Sequence, residues 1–593
     1  MIVNQPRLAQ HFALNPAAQR VYQSDSAMMS RTDNLYQAPS DCFQNSSVRT
    51  SSLKFAGSAD TTFWVENSKW ADADAEVLVV PVYMQAAKKS DKDNFSYVMS
   101  PELKELDAQM GGVIQKAANR GKFNGAKGHL LFEVPTTANI KAQQVMLVGI
   151  GNKDQVKPNT IEQSIQAGLK ALGSKVKSVA VVLPKSARMV SEDMAARSVV
   201  GAFHQSTYRT LQALPEKLPA NIEHAVLLTD KQNQQPIWDS IEAGRTIEEA
   251  VSFAKDLNNA PYNAPDHPLN AATFAKAAQK LADSSDRLSV EIEKYEDNPA
   301  GFQKNYPGVY AVNKASLRTD PARVVTLKYS PKGPVKKKIA LVGKTVVFDT
   351  GGYQDKGAAM NGMHMDMSGG GNVLAVMKAL AKLQPEGVEV TAYFAATPNE
   401  NGPDAYRTDD LFKTRSGKTF QVVHTDAEGR LTLIDMVTKA NEGKPDEIIT
   451  MATLTGAAAA AVGKKMALLT RDDEDSKVPQ HSLLGASLYK TARKLGEPIQ
   501  PLLIDGSHFE AIVPKGNDNA DLVNAIPGAP AGAQTAAAFV MSGLKPDAND
   551  RVPSFAHFDI AGTMTNGAGF SGTSSGTGVK TLIYHILNSV SRK

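Results

Sequence analysis

Two short stretches between residues 341 and 431 concentrate the groups that could bind metal and activate water. They are LVGKTVVFDTGGYQDKGAAMNGMHMDM (341–367) and HTDAEGRL (424–431). Together they carry the carboxylates Asp349, Asp366, Asp426 and Glu428, with the bases Lys344, Lys356 and Arg430. Acids and bases on a protein are usually solvated surface. Here Asp349 follows KKIALVGKTVVF, an apolar run that reads as a buried strand and its continuation. Four carboxylates meeting in a poorly solvated cleft would repel one another and protonate unless cations compensated. Two divalent ions meet that need, and Zn²⁺, Mn²⁺, Mg²⁺ or Co²⁺ suit oxygen-rich ligation. Paired ions can also generate and hold a hydroxide nucleophile.

The spacing makes mechanical sense. In an extended segment Asp426 and Glu428 point to the same side. Ala427 and Gly429 leave room near the backbone, and Arg430 falls where a helix begins. Gly351 and Gly352 permit a sharp turn that swings Lys356 back over the cleft. Lys344 could ligate a metal only as a neutral amine, a role far from obvious in the sequence.

The elements that must position these groups are α/β in type. From near Trp64, β-rich runs at 75–83, 129–135, 144–151, 178–184 and 224–230 alternate with helical stretches such as 160–173, which predicts a mainly parallel sheet. GIGNKD (149–154) lacks the third glycine of a phosphate loop and reads as a turn. Residues 239–270 read as a long connecting helix with a proline-and-asparagine stop. A second α/β region follows. Strands are expected near 324–329, 338–343, 388–395, 420–423 and 447–451, and helices at 271–282, 372–383, 431–442 and 484–495. The chain closes with a strand, a glycine-rich loop and a final helix. The resulting division is an irregular extension over 1–60, an N-terminal domain over 61–238, a connector over 239–262 and a chemistry-bearing domain over 263–593.

Composition narrows the class. The 593 residues are 42% hydrophobic and 21% charged, with a net charge of +4. That balance gives no push toward nucleic acid or anionic membrane. One cysteine, Cys42, rules out an internal disulfide framework and fits a reducing compartment. No run reaches the roughly 18 apolar residues of a membrane span. Residues 1–24 contain Arg7 and Arg20 and no acid, a weak match to an organellar transit segment; a cytoplasmic tail is the preferred reading.

Over about residues 240–590 the chain resembles the M17 leucine aminopeptidases. The resemblance rests on VGKTVVFDTGG, the segment from Met360 to Asp366, TDAEGRL, ATLTGA (452–457) and DIAGTMTN (559–566). It implies a smaller, macro-like N-terminal α/β domain and a larger catalytic domain with a mixed sheet, joined by a long helix. It implies that Asp349 and Glu428 bridge two ions, that Lys344 and Asp366 complete the tighter site, and that Asp426 completes the more exchangeable one. Lys356 would polarise the scissile carbonyl and Arg430 would hold a bicarbonate-like anion. Met363, Thr453, Gly456, Ala561 and Met564 would line an apolar pocket for the first side chain, and the backbone around Leu454 would bond the substrate. The implied activity is removal of leucine-like N-terminal residues from short peptides, in a homohexamer whose catalytic domains face inward.

Some positions depart from the family pattern. His424 stands where Asn is usual, His364 replaces Lys or Arg, Thr450 stands where an acid is common, and the Lys356–Asp366 stretch is one residue short. None removes a ligand, so they read as tuning; His424 and His557 read as hydrogen-bonding histidines. GGG at 369–371 reads as close helix packing rather than a phosphate loop. The competing readings are a non-catalytic scaffold or DNA-binding protein on the same fold, and a two-metal phosphatase, which the apolar pocket and Lys344 disfavour.

Overall fold

The computed structural model describes residues 61–84, 101–120, 123, 125–133, 140–172, 175–208, 222–471, 482–516, 519–567 and 572–590. The expected extension over residues 1–60 lies outside them.

The N-terminal sheet has strands β1 (Thr62–Glu66), β2 (Val77–Met84), β3 (Leu130–Glu133), β4 (Gln144–Asn152), β5 (Ser178–Val182) and β6 (His224–Leu228), in the order β1-β6-β5-β2-β4-β3. Every pairing is parallel except β3 with β4. Its middle strands are apolar on both faces because helices cover both. Val79, Met146 and Val181 pack with Ile161, Ile165 and Val199 on one side; Leu78, Leu147 and Ala180 pack with Leu106 and Ile114 on the other.

The second sheet is mixed. Its strands are β7 (Leu288–Lys294), β8 (Arg323–Tyr329), β9 (Lys337–Gly343), β10 (Val346–Asp349), β11 (Val388–Asn399), β14 (Glu447–Ala452), β15 (Met466–Arg471), β16 (Ile499–Ile504) and β18 (Ser554–Asp559). The main path runs β16-β15-β18-β14-β9-β11-β8-β7, with β10 beside β11. A small sheet joins β12 (Leu411–Lys413), β13 (Thr419–Gln421) and β17 (Leu522–Val523). The pairs β10/β11, β9/β11, β14/β9 and β14/β18 are parallel, so their carboxyl ends open on one side. Ligand clefts in open α/β sheets form at such edges.

The connecting helix, Gln235–Asn259, is shared between two cores rather than spanning solvent. Ile237 and Ile241 enter the N-terminal core, whereas Ile247, Ala250, Val251, Ala254 and Leu257 enter the core of the larger sheet. It packs on helix Glu192–Thr207 on one side and Ser368–Leu383 on the other. The glycines 369–371 open that second helix, and each is needed for contact: a Cβ would lie 2.1 Å from Met451 O, 2.3 Å from Thr345 Oγ1 and 2.0 Å from Asn258 Oδ1 respectively. Close packing, not phosphate binding, explains the triplet.

Candidate functional site

Four of the groups singled out in the sequence sit at or just past the end of a strand. Lys344 follows β9, Asp349 ends β10, Thr453 follows β14, and Ala561 lies two residues past β18. Glu428 caps helix Gly429–Glu442, whose positive N-terminal end faces the acids. They surround a cleft of about 480 Å³.

Oxygen atoms of Asp349, Asp426 and Glu428 lie within 4.8 Å of one another. Asp366 joins them through Lys344, whose Nζ is 2.6 Å from Asp366 Oδ2 and 2.7 Å from Glu428 Oε1. Lys356 bridges the other pair: its Nζ is 2.8 Å from Asp349 Oδ2 and in close contact with Asp426. The turn that brings it there uses the left-handed backbone of Gly351 (φ +90°) and Gly352 (φ +62°), closed by Lys356 N–H donating to Thr350 O at 3.0 Å. Gly429 clears the path for Lys344, since a Cβ there would lie 2.5 Å from Lys344 Cε.

The 424–428 segment is not extended, contrary to the alternation argument. It is a turn, with Ala427 N–H donating to His424 O at 3.2 Å and Asp426 N–H donating to His424 Nδ1 at 3.2 Å. Asp426 and Glu428 therefore converge because a turn runs into a helix. Asn524 clamps this turn: its Oδ1 accepts from Val423 N–H (2.7 Å), and its Nδ2 donates to His424 O (2.8 Å).

Electrostatics at the site are strained without divalent ions. Burial alone would lower Lys344, but Asp366, Glu428 and Asp349 outweigh it and hold the ammonium above its usual range. Burial drives Asp366 well above the usual carboxylate range. Burial, then Glu428 and Asp349, push Asp426 up to about 7. Asp349 moves down because Lys356 and Lys344 overcome its desolvation. Asp426 Oδ1 and Glu428 Oε1 are buried and touch lysine ammoniums without making a well-directed hydrogen bond. The donor set, hard carboxylate oxygens with unsatisfied acceptors and one amine, fits divalent cations.

The pocket residues divide. Met363, Thr453, Leu454, Gly456 and Ala561 line the cleft. Met564 is not among the lining residues and is buried (2% exposed). Thr453 presents a polar face as well, its hydroxyl donating to Asp366 Oδ1 at 2.6 Å. Leu454 N–H donates to Asp559 Oδ1 at 3.2 Å, so only its carbonyl side is open to a substrate. Arg430 also borders the cleft, and its buried Nε has no hydrogen-bond partner among the described residues. His364 is half-buried, and desolvation lowers its pKa.

Several supporting residues escape a reading based on spacing. Asn399, at the end of β11, donates Nδ2 to Asp349 Oδ1 (2.8 Å) and to Thr425 O (3.2 Å). Asp559, inside a recognised motif, accepts from Thr455 Oγ1 (2.7 Å) and Ala561 N–H (3.1 Å) besides Leu454. Asn399 carries no signal beyond its place at the end of an apolar run, whereas Asp559 opens the DIAGTMTN motif without its role being evident from it.

Family models give the same answer as the site. The description "Cytosol aminopeptidase family, catalytic domain" matches residues 252–583, and the family's N-terminal domain matches 79–213. The chain belongs to the cytosol aminopeptidase family. Family relatives include a probable cytosol aminopeptidase of Aquifex aeolicus, 32% identical over 83% of this chain and 94% of that protein. Leucine aminopeptidase 2, chloroplastic, of Arabidopsis thaliana is 30% identical over 98% of this chain and 93% of its own length. A tomato leucine aminopeptidase variant superposes with a TM-score of 0.73 at 25% identity, covering 90% of this chain and 97% of its own. The bottromycin maturation enzyme BotP in complex with Mn shares the fold (TM-score 0.69, 24% identity, 87% and 100% covered). As a family member the protein is an aminopeptidase, a peptide hydrolase of two-domain α/β architecture. The family is metal-dependent, and Asp349, Asp426 and Glu428 form a group able to hold a metal. Among the described residues no helix is long and apolar enough to cross a membrane.

Proposed function

We propose that the protein removes N-terminal residues, leucine-like ones best, from short peptides with two divalent ions bound among Lys344, Asp349, Asp366, Asp426 and Glu428. The observation that carries this reading is the convergence of three carboxylates within 4.8 Å, flanked by two lysines, at the floor of a cleft lined by Met363 and Ala561. Zn²⁺ or Mn²⁺ are the preferred ions, with Mg²⁺ or Co²⁺ as substitutes; once bound they would supply an activated water and polarise the scissile carbonyl.

The chain's own groups do the rest. Lys356 Nζ donates to the carbonyl oxygen as negative charge develops there. Asp366, on the far side of Lys344, faces the peptide's ammonium group, which restricts cleavage to the first residue. Met363, Thr453, Gly456 and Ala561 receive the first side chain, and Leu454 O accepts from the peptide N–H. Arg430 offers an unpaired N–H to a bicarbonate-like anion that passes protons to the leaving amine.

Family resemblance further supports a homohexamer acting on short or unfolded peptides in the cytoplasm. Organellar import is the alternative, and the name of the chloroplastic Arabidopsis relative supports keeping it. Purified protein with Mn²⁺ or Zn²⁺ should cleave leucine anilide and lose that activity to a chelator. Retention of duplex DNA at moderate salt with no peptide cleaved would favour the scaffold reading instead.

A further inference from the structure

A second cavity, of about 470 Å³, lies between the N-terminal domain, the connecting helix and the glycine-rich stretch after β18. One lysine crosses it. Lys580 Nζ is 2.8 and 2.7 Å from the two carboxylate oxygens of Glu162, on helix Pro158–Ala171, and 2.6 Å from Glu248 Oε1, on the connecting helix. All three side chains are at most 19% exposed. The fit is tight: a Cβ on Gly201 would come within 2.9 Å of Glu162 Cδ and 3.0 Å of Glu248 Oε1. Gln205 Nε2 donates to Glu248 Oε2 at 2.9 Å, and Lys255 Nζ donates to Gln205 Oε1 at 2.8 Å. Two acids this close are tolerable in a buried place only with the ammonium between them.

Lys580 opens the last helix, Val579–Ser589, immediately after the segment that leaves the cleft. That segment is a partition. Ala561 faces the cleft, whereas Gly562, Thr563 and Thr565 face the interdomain cavity. Its return half is bonded to its outgoing half: Ser575 N–H donates to Met564 O (2.9 Å), Asn566 N–H to Thr573 O (2.9 Å), and Ser575 Oγ to Thr563 O (2.5 Å). Glu497 then fixes the exit, accepting from Gly578 N–H and Thr581 N–H, both at 2.9 Å. The wall beside the first-side-chain pocket is thus tied, through two short backbone contacts and one helix turn, to the N-terminal domain.

We infer that the Glu162–Lys580–Glu248 cluster is a specificity-positioning element, by which the N-terminal domain sets the position of the wall residue Ala561 through the segment that follows it. This rests on the proposed peptide cleft. In the proposed cleft a leucine side chain, three carbons longer than that of alanine, would contact that wall where alanine's methyl would not, so wall position would change selection between them more than it changes the chemistry. Apolar pockets discriminate by roughly ten- to 200-fold per methylene, leaving room for such an effect.

The test compares leucine and alanine anilides with full-length protein loaded with Mn²⁺. Glu162→Ala and the isosteric Glu162→Gln should lower the leucine-to-alanine ratio of kcat/KM at least fivefold, through KM for the leucine substrate. Glu162→Asp should return the ratio to within twofold of the parent, and metal content should not change. A ratio that stays within twofold in every soluble variant, whether or not overall activity falls, overturns the inference while leaving the peptidase reading intact. A parent protein that cleaves neither anilide overturns both.

Discussion

Lys344 and Asp366 meet at 2.6 Å in a place that almost no water reaches, with their side chains 3% and 7% exposed. The ammonium is held by Asp366 and Glu428, in the position where the proposed chemistry needs a cation. On the proposed ligation, metal loading displaces a proton from Lys344 and also from Asp366 and Asp426, which burial holds above the usual carboxylate range, Asp426 at about 7. The sign follows: binding releases protons, so affinity for Mn²⁺ or Zn²⁺ should rise between pH 6 and 8. Competition titration with a chromogenic chelator would show it; a pH-independent affinity would contradict this site chemistry.

Lys356 touches Asp349 and Asp426 from the open side of the cleft. As the proposed oxyanion donor it would contribute to turnover more than to binding. Lys356→Met should lower kcat about 10²–10³-fold with metal content retained. Elemental analysis alongside steady-state kinetics separates the two effects, and a variant that loses its metals would make Lys356 a structural cation instead.

His424 holds its place through backbone groups, which Asn524 clamps, and its ring Nδ1 accepts the Asp426 N–H within the turn. His424→Asn keeps an acceptor at that point. The variant should keep both metals and change kcat or its pH profile by less than tenfold. Loss of one metal equivalent would identify the ring as a ligand.

His557 is completely buried, with Nδ1 2.6 Å from Thr450 Oγ1 and Nε2 unpartnered. Burial, and then Arg430, push it down to about 3. The fold thus holds the neutral ring, whereas the unfolded chain takes up a proton below about 6.5. Its contribution to stability is present above that pH and lost as the medium acidifies, amounting to about 2 kcal/mol between pH 7 and 5. Urea unfolding at those two pH values should show a smaller loss for His557→Gln than for the parent. Equal losses would place a partner on Nε2.

How much of this was legible beforehand depended on how local the signal was. β9, with its continuous apolar run, and helix Ala271–Asp283, with its Asn270–Thr273 capping box, carry their own signatures. β7 (LSVEIEK) is absent from the expected strands although Leu288, Val290 and Ile292 alternate with polar residues as a half-buried strand does; a seven-residue run with three charges stands out less than the continuous apolar runs. At the site, the acids were legible as types and spacings. The turn at 424–428 was not, since it is imposed by Asn524, a hundred residues away. Met564, a pocket residue by resemblance, is buried and outside the cleft lining; its carbonyl accepts from Ser575 N–H, a pairing that no local pattern announces.

The most direct measurement counts divalent ions per chain and cleavage of a panel of aminoacyl anilides on one preparation. The account predicts two ions, cleavage with leucine preferred, and loss of both together after exhaustive chelation. Peptide cleavage that persists in protein stripped of metal would contradict it.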